Sequence, residues 1–299
     1  MKNKSTKIDE MMLYSLFIFV DDTCQELKNY FQTHCLASGN KPSRKPKEAA
    51  LSESEIIVIL IYYHYSGYKK FEYYYNKFVL TDLTTYFPKA PSYTHFLGLQ
   101  SRVGIILFIL MQILCQKAIK TDIYYIDSKQ VPVCDNLRIK SNKVFQGLAG
   151  HGKSSTGWFY GFKVHLVINN YGEIVSFALS AANKADNNQE ILKHLLRHLE
   201  GICVGDKGYL TQLWEKFYEN DLKIIHKVKK NMKNKLLTLE EKYYLAKRGV
   251  IESVNAILDG VFDLTHSRHR KAENAFCHIL SCLIAYQFYP NKPSVYFAN

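Results

Sequence analysis

The hydrophobic pattern changes near residue 121, and this change limits the fold more than any other feature of the sequence. Before it the pattern is helical, with a capping-box signal at Ser52 and Glu55 and a long apolar run over 92–120 that predicts one helix. After it, β-rich runs precede helices and strands that alternate. The predicted strands are 123–133, 158–169, 173–181, 202–206 and 222–228, and the predicted helices are 186–201, 211–221, 239–260 and 271–289.

This order predicts an α/β fold. The run EIVSFALSA follows WFYGFKVHLVIN after Asn-Tyr-Gly, which is a hairpin signal, so the first three strands are expected to be antiparallel. The helices and strands that alternate after these three strands predict a mixed sheet with flanking helices. The chain of 299 residues is therefore expected to contain an all-α N-terminal domain over 1–120 and an α/β domain over 121–299.

The composition points to a polyanionic partner in the cytoplasm. The formal charge is +12 and the isoelectric point about 9.2, which favours nucleic acid. No signal peptide is recognisable, and the apolar stretch 103–115 is too short to span a bilayer and contains Gln112, so no membrane partner is expected. Seven cysteines without a CxxC pair argue for free thiols and against a disulfide scaffold or a structural zinc site.

Residues 147–154, GLAGHGKS, match the complete Walker A pattern. A phosphate-binding loop must leave a buried strand and enter a helix, whose N-terminal amides hold the phosphates. Here Gly157 and Gly161 follow within a period-two pattern, so no helix is expected. We therefore predict a flexible, basic, glycine-rich loop between the first two strands that touches DNA phosphates, and no nucleotide cofactor. A P-loop NTPase that depends on Lys153 stays as an alternative.

Three carboxylates lie in apolar surroundings. Asp127 is in the middle of the first strand, Asp206 closes the strand GICVGD, and Glu252 lies in the helical stretch KRGVIESVNAIL. A buried carboxylate costs several kcal/mol unless it is paired or coordinates a cation. Two divalent cations about 3.5–4 Å apart, held by such acids, are the catalytic centre of phosphodiester displacement. The three acids are therefore candidate ligands of two Mg²⁺ ions, with Mn²⁺ as a substitute.

Each acid also has a purely structural interpretation. Asp127 can be hydrogen-bonded to the backbone or paired with a lysine or arginine, Asp206 can cap a turn before Gly208, and Glu252 can pair with Arg248 four residues earlier. The joint order of an Asp on the first strand, an Asp after the fourth and a Glu on a later helix favours the metal site.

The same order resembles the RNase H-like, retroviral-integrase-like fold of DDE transposases. The segments YIDSKQVPVC, GKSSTGWFYGFKVHLVIN, GDKGYL and KRGVIESVNAILDGVF resemble conserved blocks of bacterial insertion-sequence transposases, in particular family nine-eighty-two. THSRHRKAENAFCHILSCLIAY is similar to the last helix of that family, so the resemblance covers roughly 121–289.

The resemblance implies a Mg²⁺-dependent transposase with Asp127, Asp206 and Glu252 as metal-binding catalytic residues. Such an enzyme cleaves DNA at the terminal inverted repeats of its element and joins the freed 3′-hydroxyl to target DNA. It would act in the bacterial cytoplasm, at the nucleoid. Related families often carry a basic residue seven positions after the catalytic Glu, where this chain has Asp259. Arg248 or Lys247 is the expected substitute for that charge.

Further basic residues are candidates for DNA contact. Lys163 and His165 alternate onto one face of the second strand and are expected to face the site, and the lysine-rich run 227–235 is expected to follow the phosphates. The predicted DNA-contact residues are Lys163, Lys207, Arg248, Arg268 and Arg270.

Two DNA ends must be joined in concert, so a homodimer is expected, with the N-terminal domain binding element ends or mediating dimerisation. Two other functions stay open. One is an RNase H-like nuclease that cuts without joining. The other is a non-catalytic DNA-binding relic of a transposase, which the Asp259 departure favours.

Overall fold

The computed structural model describes residues 8–34, 50–154, 157–206, 209, 213–226, 237–265 and 269–296. Lys207, Arg268 and the run 227–235 lie outside them. The chain divides into two compact units. One comprises Met1–Met111 with Glu273–Ala285, and the other Gln112–Ala272 with Tyr286–Asn299.

Helices form the N-terminal region, and its described residues contain no strand. They are α1 (Glu10–His34), α2 (Glu53–Tyr63), α3 (Phe71–Tyr74) with a π-helical turn (Tyr75–Val79), α4 (Tyr93–Leu99), a 3₁₀ turn (Gln100–Val103) and α5 (Gly104–Lys117). The predicted capping box is confirmed, because Ser52 Oγ accepts from the Glu55 amide at 3.1 Å and the Glu55 carboxylate accepts from the Ser52 amide at 2.7 Å.

The helix predicted over 92–120 is present as one helical run, Tyr93–Lys117, which contains a 3₁₀ turn. The 3₁₀ turn Gln100–Val103 separates α4 from α5, and the Gln100 carbonyl there accepts a hydrogen bond from the Cys277 thiol. The helical run Tyr93–Lys117 is nevertheless long and apolar enough, by length and composition alone, to cross a membrane. Core helices of soluble proteins meet the same criterion, and Leu107, Leu110 and Met111 of α5 are buried.

The predicted mixed sheet is confirmed. Its order is β4–β3–β1–β5–β6, with β1, β3 and β4 antiparallel and β5 and β6 parallel to β1. A further strand, β2, pairs with the beginning of β3. The strands are β1 (Ile123–Cys134), β2 (Gly150–Ser154), β3 (Gly157–Asn169), β4 (Ile174–Ala181), β5 (Gly201–Gly205) and β6 (Leu222–His226).

Strand β2 corrects the loop predicted over 147–154. Its residues pair antiparallel with Gly157–Gly161, so the Walker-like segment forms a hairpin and does not enter a helix. Its glycines belong to this pairing, since a Cβ at Gly152 would lie 2.7 Å from the Phe159 ring. The amide geometry that a P-loop requires is therefore absent from this segment.

The helices after β4 are α6 (Gln189–Leu196), α7 (Trp214–Glu219), α8 (Leu239–Lys247), α9 (Gly249–Gly260) and α10 (Ala272–Phe288). Of these, α6 packs on one face of the sheet and α9 contacts the other. The helix predicted over 239–260 is therefore two helices, which meet at Arg248 before Gly249, a residue of low helix propensity.

Side chains of β1 alternate between two faces. Tyr124 and Ile126 pack with Leu192 and Leu195 on what we name the α6 face. The next residues along the strand, Asp127 and Lys129, contact α9 on the opposite side, which we name the α9 face. The six described cysteines are free thiols, as predicted.

Candidate active site

The site is centred on Asp127, which β1 presents on the α9 face. Its carboxylate accepts a hydrogen bond from Asn255 Nδ2 at 3.0 Å and lies 3.4 Å from an Arg248 guanidinium nitrogen. The side chain is 22% exposed. Burial raises the pKa of Asp127, and the Arg248 charge opposes that rise. The acid is thus tolerated in the strand because an arginine and an asparagine from the α9 region hold it.

Arg248 also binds Glu252, with 2.7 Å between Nη1 and Oε1. The pairing four residues apart, which the sequence left open as a structural role for Glu252, is therefore present. Arg248 is buried, whereas the Glu252 side chain is 63% exposed. The guanidinium of Arg248, the residue between α8 and α9, thus contacts two of the three predicted acids.

Asp206 follows β5 directly. The parallel ladder ends where Tyr125 of β1 pairs with Val204 of β5, and Asp127 and Asp206 each follow that pair by two residues. Carboxyl ends of neighbouring parallel strands are where open α/β sheets place their ligands. Asp206 is half-buried, and its carbonyl accepts a hydrogen bond from the Tyr209 amide.

The donor set suits a hard divalent cation, because carboxylate oxygens are the ligands that Mg²⁺ prefers. Asp127 and Asp206 each follow the last β1–β5 pair by two residues, and Asp127 is oriented by its hydrogen bond from Asn255. Among the described residues, however, no group of three or more His, Cys, Asp or Glu is close enough to hold a metal ion. Glu252 therefore fits as a ligand only if its carboxylate moves from Arg248 toward the two aspartates.

Asp259 occupies the position where the resemblance led us to expect a base. It forms a salt bridge with Lys129, which lies on β1 two residues after Asp127. Both side chains are partly exposed. A positive charge is thus present at this end of α9, but it belongs to Lys129 of the strand, and Asp259 of the helix pairs with it.

Lys163 and His165 lie on the α6 face, opposite the side chain of Asp127. In the β1–β3 ladder they pair with Gln130 and Ser128, and directly paired residues point to the same face. The Lys163 ammonium donates to Asp186 at 2.9 Å and to the Lys184 carbonyl at 3.1 Å, and Asp186 also accepts from Ser128 Oγ. In this arrangement Lys163 is bonded within the protein.

Of the other predicted DNA contacts, Arg248 is buried against Asp127 and Glu252, while Arg270 is exposed and lines a cavity at the carboxyl end of β1. Sequence reasoning missed Asn255 and Asp186. Asn255 follows Glu252 by three residues in an apolar helix, which is a detectable signal for a shared face. Asp186 lies in a polar loop and gives no such signal.

His165 should make stability depend on pH. Its side chain is fully buried, Nε2 is 2.8 Å from Ser180 Oγ, and burial lowers its pKa from 6.5 to about 4. Since the unfolded chain binds this proton more readily than the folded chain, the stabilisation is present above pH 6.5 and is lost as the pH falls toward 4. The loss should amount to roughly a few kcal/mol.

Urea unfolding at pH 7, 5.5 and 4.5 checks this expectation, with His165→Gln compared with wild type. Gln retains a group able to bond Ser180 but does not titrate, so the difference in unfolding free energy between the two proteins should narrow as the pH falls. An exposed histidine, His151, serves as control through His151→Gln. A constant difference across the three pH values would contradict the assignment of a buried neutral imidazole.

Comparison with known proteins gives both fold and family. The structure is similar to the piggyBac transposase synaptic complex with hairpin DNA, with TM-score 0.51 and 9% sequence identity over 96% of this chain and 76% of that one. The Mos1 strand transfer complex matches with TM-score 0.22 and 13% identity over 90% and 87% of the two chains. No curated protein sequence matches.

The piggyBac likeness concerns the fold alone, and with the sheet order it confirms the predicted RNase H-like mixed sheet. The model of the transposase DDE domain family matches residues 117–272. This segment runs from the end of α5 to the start of α10 and includes Asp127, Asp206 and Glu252. The match covers more than half of the chain, which therefore belongs to the transposases of the DDE domain family.

Proposed function

We propose that this transposase cleaves DNA at the terminal inverted repeats of an insertion sequence and joins the freed 3′-hydroxyls to target DNA, with two Mg²⁺ ions held by Asp127, Asp206 and Glu252. The observation that supports the proposal is the parallel pairing of β1 with β5 up to Tyr125 and Val204, each followed two residues later by an aspartate, Asp127 and Asp206, with Glu252 linked to Asp127 through Arg248.

Two bound Mg²⁺ ions would stabilise the charge that develops on the attacking and leaving oxygens. The protein residues have separate tasks. Asp127 and Asp206 present carboxylates from the rigid sheet, and Asn255 fixes the orientation of Asp127. Arg248 balances the charge of the acids and holds Glu252 beside the strand until that carboxylate turns inward.

The chemistry consists of two displacements at phosphorus. Water attacks a phosphodiester at the element end, the bond to the 3′ oxygen breaks, and a 3′-hydroxyl and a 5′-phosphate result. That 3′-hydroxyl then attacks a target phosphodiester, whose own 3′ oxygen leaves. Neither displacement requires a covalent enzyme intermediate.

The partners follow from charge and from the reaction. A formal charge of +12 suits binding to two DNA duplexes. Because two element ends are joined in concert, we propose a homodimer in which the helical N-terminal region binds the ends or joins the subunits. Lys129 of β1, which pairs with Asp259 of α9, supplies a positive charge where related families carry a helical base.

The test is an assay of cutting and joining on a labelled duplex that carries the flanking element end, with a supercoiled plasmid as target and Mg²⁺ or Mn²⁺. Wild type should cut and join, Asp206→Asn should lose both activities by roughly 10³-fold, and Asp82→Asn, which changes an exposed acid, should match wild type. Cutting without joining would favour the nuclease. Binding without cutting, unchanged by Asp206→Asn, would favour the DNA-binding relic.

A further inference from the structure

A basic cavity lies at the carboxyl end of β1, beyond the candidate active site. Its volume is about 700 Å³. Its walls come from the end of β1, from the 3₁₀ turn Asn136–Ser141 with the residues after it, and from the residues before α10. The lining residues are Val133, Cys134, Asp135, Arg138, Ser141, Asn142, Lys143, Val144, His269 and Arg270.

The charge of this cavity is strongly positive. Arg138, Lys143 and Arg270 are exposed, and Asp135 is the one acid in the lining. Across the part of the chain that the structure describes, none of the three cations makes an ion pair within the protein. Lys163 and Arg248, by contrast, are bonded to carboxylates. The cations of the cavity are therefore available to an anionic ligand.

The β2–β3 hairpin extends the same surface. Asn136 Nδ2 donates to the Trp158 carbonyl at 2.8 Å, which ties the hairpin to the 3₁₀ turn. Trp158 is 63% exposed, and the Lys153 ammonium lies 5.6 Å from its ring centre. The Lys153 ammonium beside this exposed ring adds a further cation that can bind phosphate on the same surface.

The cavity also lies at a suitable distance from the acids. Asp127 and Cys134 are seven residues apart on β1, and at about 3.3 Å per residue, shortened by the bulge beyond Pro132, they are roughly 20 Å apart. That length corresponds to about six base pairs of B-DNA at 3.4 Å per step. Val131 of β1 pairs with Phe162 of β3, and Tyr160 of β3 pairs with His151 of β2. The α9 face therefore continues from β1 across β3 to the β2–β3 hairpin.

We propose that this cavity binds the phosphate backbone of duplex DNA about six base pairs from the scissile phosphate, with Arg138 and Lys143 as its principal contacts. This proposal rests on the proposed function, because it assumes that the duplex cleaved beside Asp127 is the one that reaches the cavity. It adds a binding site that the three acids do not require, and it assigns a role to the segment between β1 and β2.

The test measures binding of a 30-base-pair element-end duplex by fluorescence anisotropy, in EDTA and over a range of salt concentrations, using the full chain. Arg138→Ala/Lys143→Ala should weaken binding roughly tenfold near 0.15 M salt and reduce the slope of log K against log salt by about 2. Arg138→Lys/Lys143→Arg should retain most of the affinity. Lys193→Ala/Lys216→Ala, which removes two exposed lysines of α6 and α7, is the matched control.

A second measurement locates the contact. Arg138→Cys, mixed with duplexes that carry a thiol-reactive tether at single phosphates, should crosslink best about six base pairs from the cleavage position. Equal affinity and slope for the Ala pair and wild type, or no preferred crosslink, would overturn the cavity proposal while metal-dependent cutting still supported the transposase. Failure of wild type to bind any duplex would overturn both.

Discussion

Asp127→Asn should abolish DNA cleavage, with a loss of roughly 10³-fold or more, while the affinity for an element-end duplex stays within about twofold of wild type. Loss of one carboxylate at a two-metal centre removes several kcal/mol of transition-state stabilisation, and each 1.4 kcal/mol corresponds to about tenfold in rate. Binding should persist because the predicted phosphate contacts lie on other residues.

The fold should tolerate this change. Asn is nearly isosteric with Asp, and its carbonyl can still accept the hydrogen bond from Asn255. Burial raises the pKa of Asp127 despite Arg248, which means that ionising this acid costs more free energy in the folded than in the unfolded chain. We therefore expect the variant to unfold at a temperature no lower than wild type.

Single-turnover cleavage of a labelled duplex, followed by electrophoresis, measures the loss of cleavage. Thermal unfolding by circular dichroism measures the unfolding temperature, and Asp82→Asn is the control for both measurements. Cleavage by Asp127→Asn within tenfold of the wild-type rate would remove Asp127 from the catalytic centre. Lost cleavage together with a lower unfolding temperature would indicate a structural defect instead.

Gly161→Ala should destabilise the catalytic region by roughly 2–4 kcal/mol. Gly161 lies on β3 opposite Pro132 of β1 and Gly150 of β2. A Cβ there would lie 2.1 Å from the Val131 carbonyl oxygen, which belongs to the backbone and cannot move away without disturbing the ladder. The expected result is a lower free energy of unfolding and a shifted register at the bulge beyond Pro132.

Urea unfolding of the full chain tests this expectation. Gly260→Ala is the matched control, because nothing lies within 4 Å of a Cβ built at that helical glycine. It should leave stability unchanged or raise it by about 0.5–1 kcal/mol, as alanine favours helix over glycine. Equal stability of the two variants would show that β1 and β3 pack less closely at Gly161 than the structure indicates.

Local patterns predicted five of the six strands of the sheet. Period-two runs predicted β1, β3 and β4, and alternation of helices and strands predicted β5 and β6. Strand β2 was missed because GHGKS has no hydrophobic alternation, and it pairs only because its glycines allow β3 and its side chains to approach. The helix predicted over 92–120 contains a 3₁₀ turn at Gln100–Val103, and the helix predicted over 239–260 is divided at the Arg248–Gly249 junction.

The sequence by itself determined the mixed sheet with flanking helices and the order of Asp127, Asp206 and Glu252, because hydrophobic period and acids in apolar runs are local properties; the resemblance to DDE transposases implied the RNase H-like fold. Only the tertiary structure decided what surrounds these acids. Arg248, Asn255 and Lys129 reach them through the packing of α9 on β1, whereas strand pairing turns Lys163 and His165 to the other face. Such contacts join residues far apart in the chain, and no local pattern records which charge meets which.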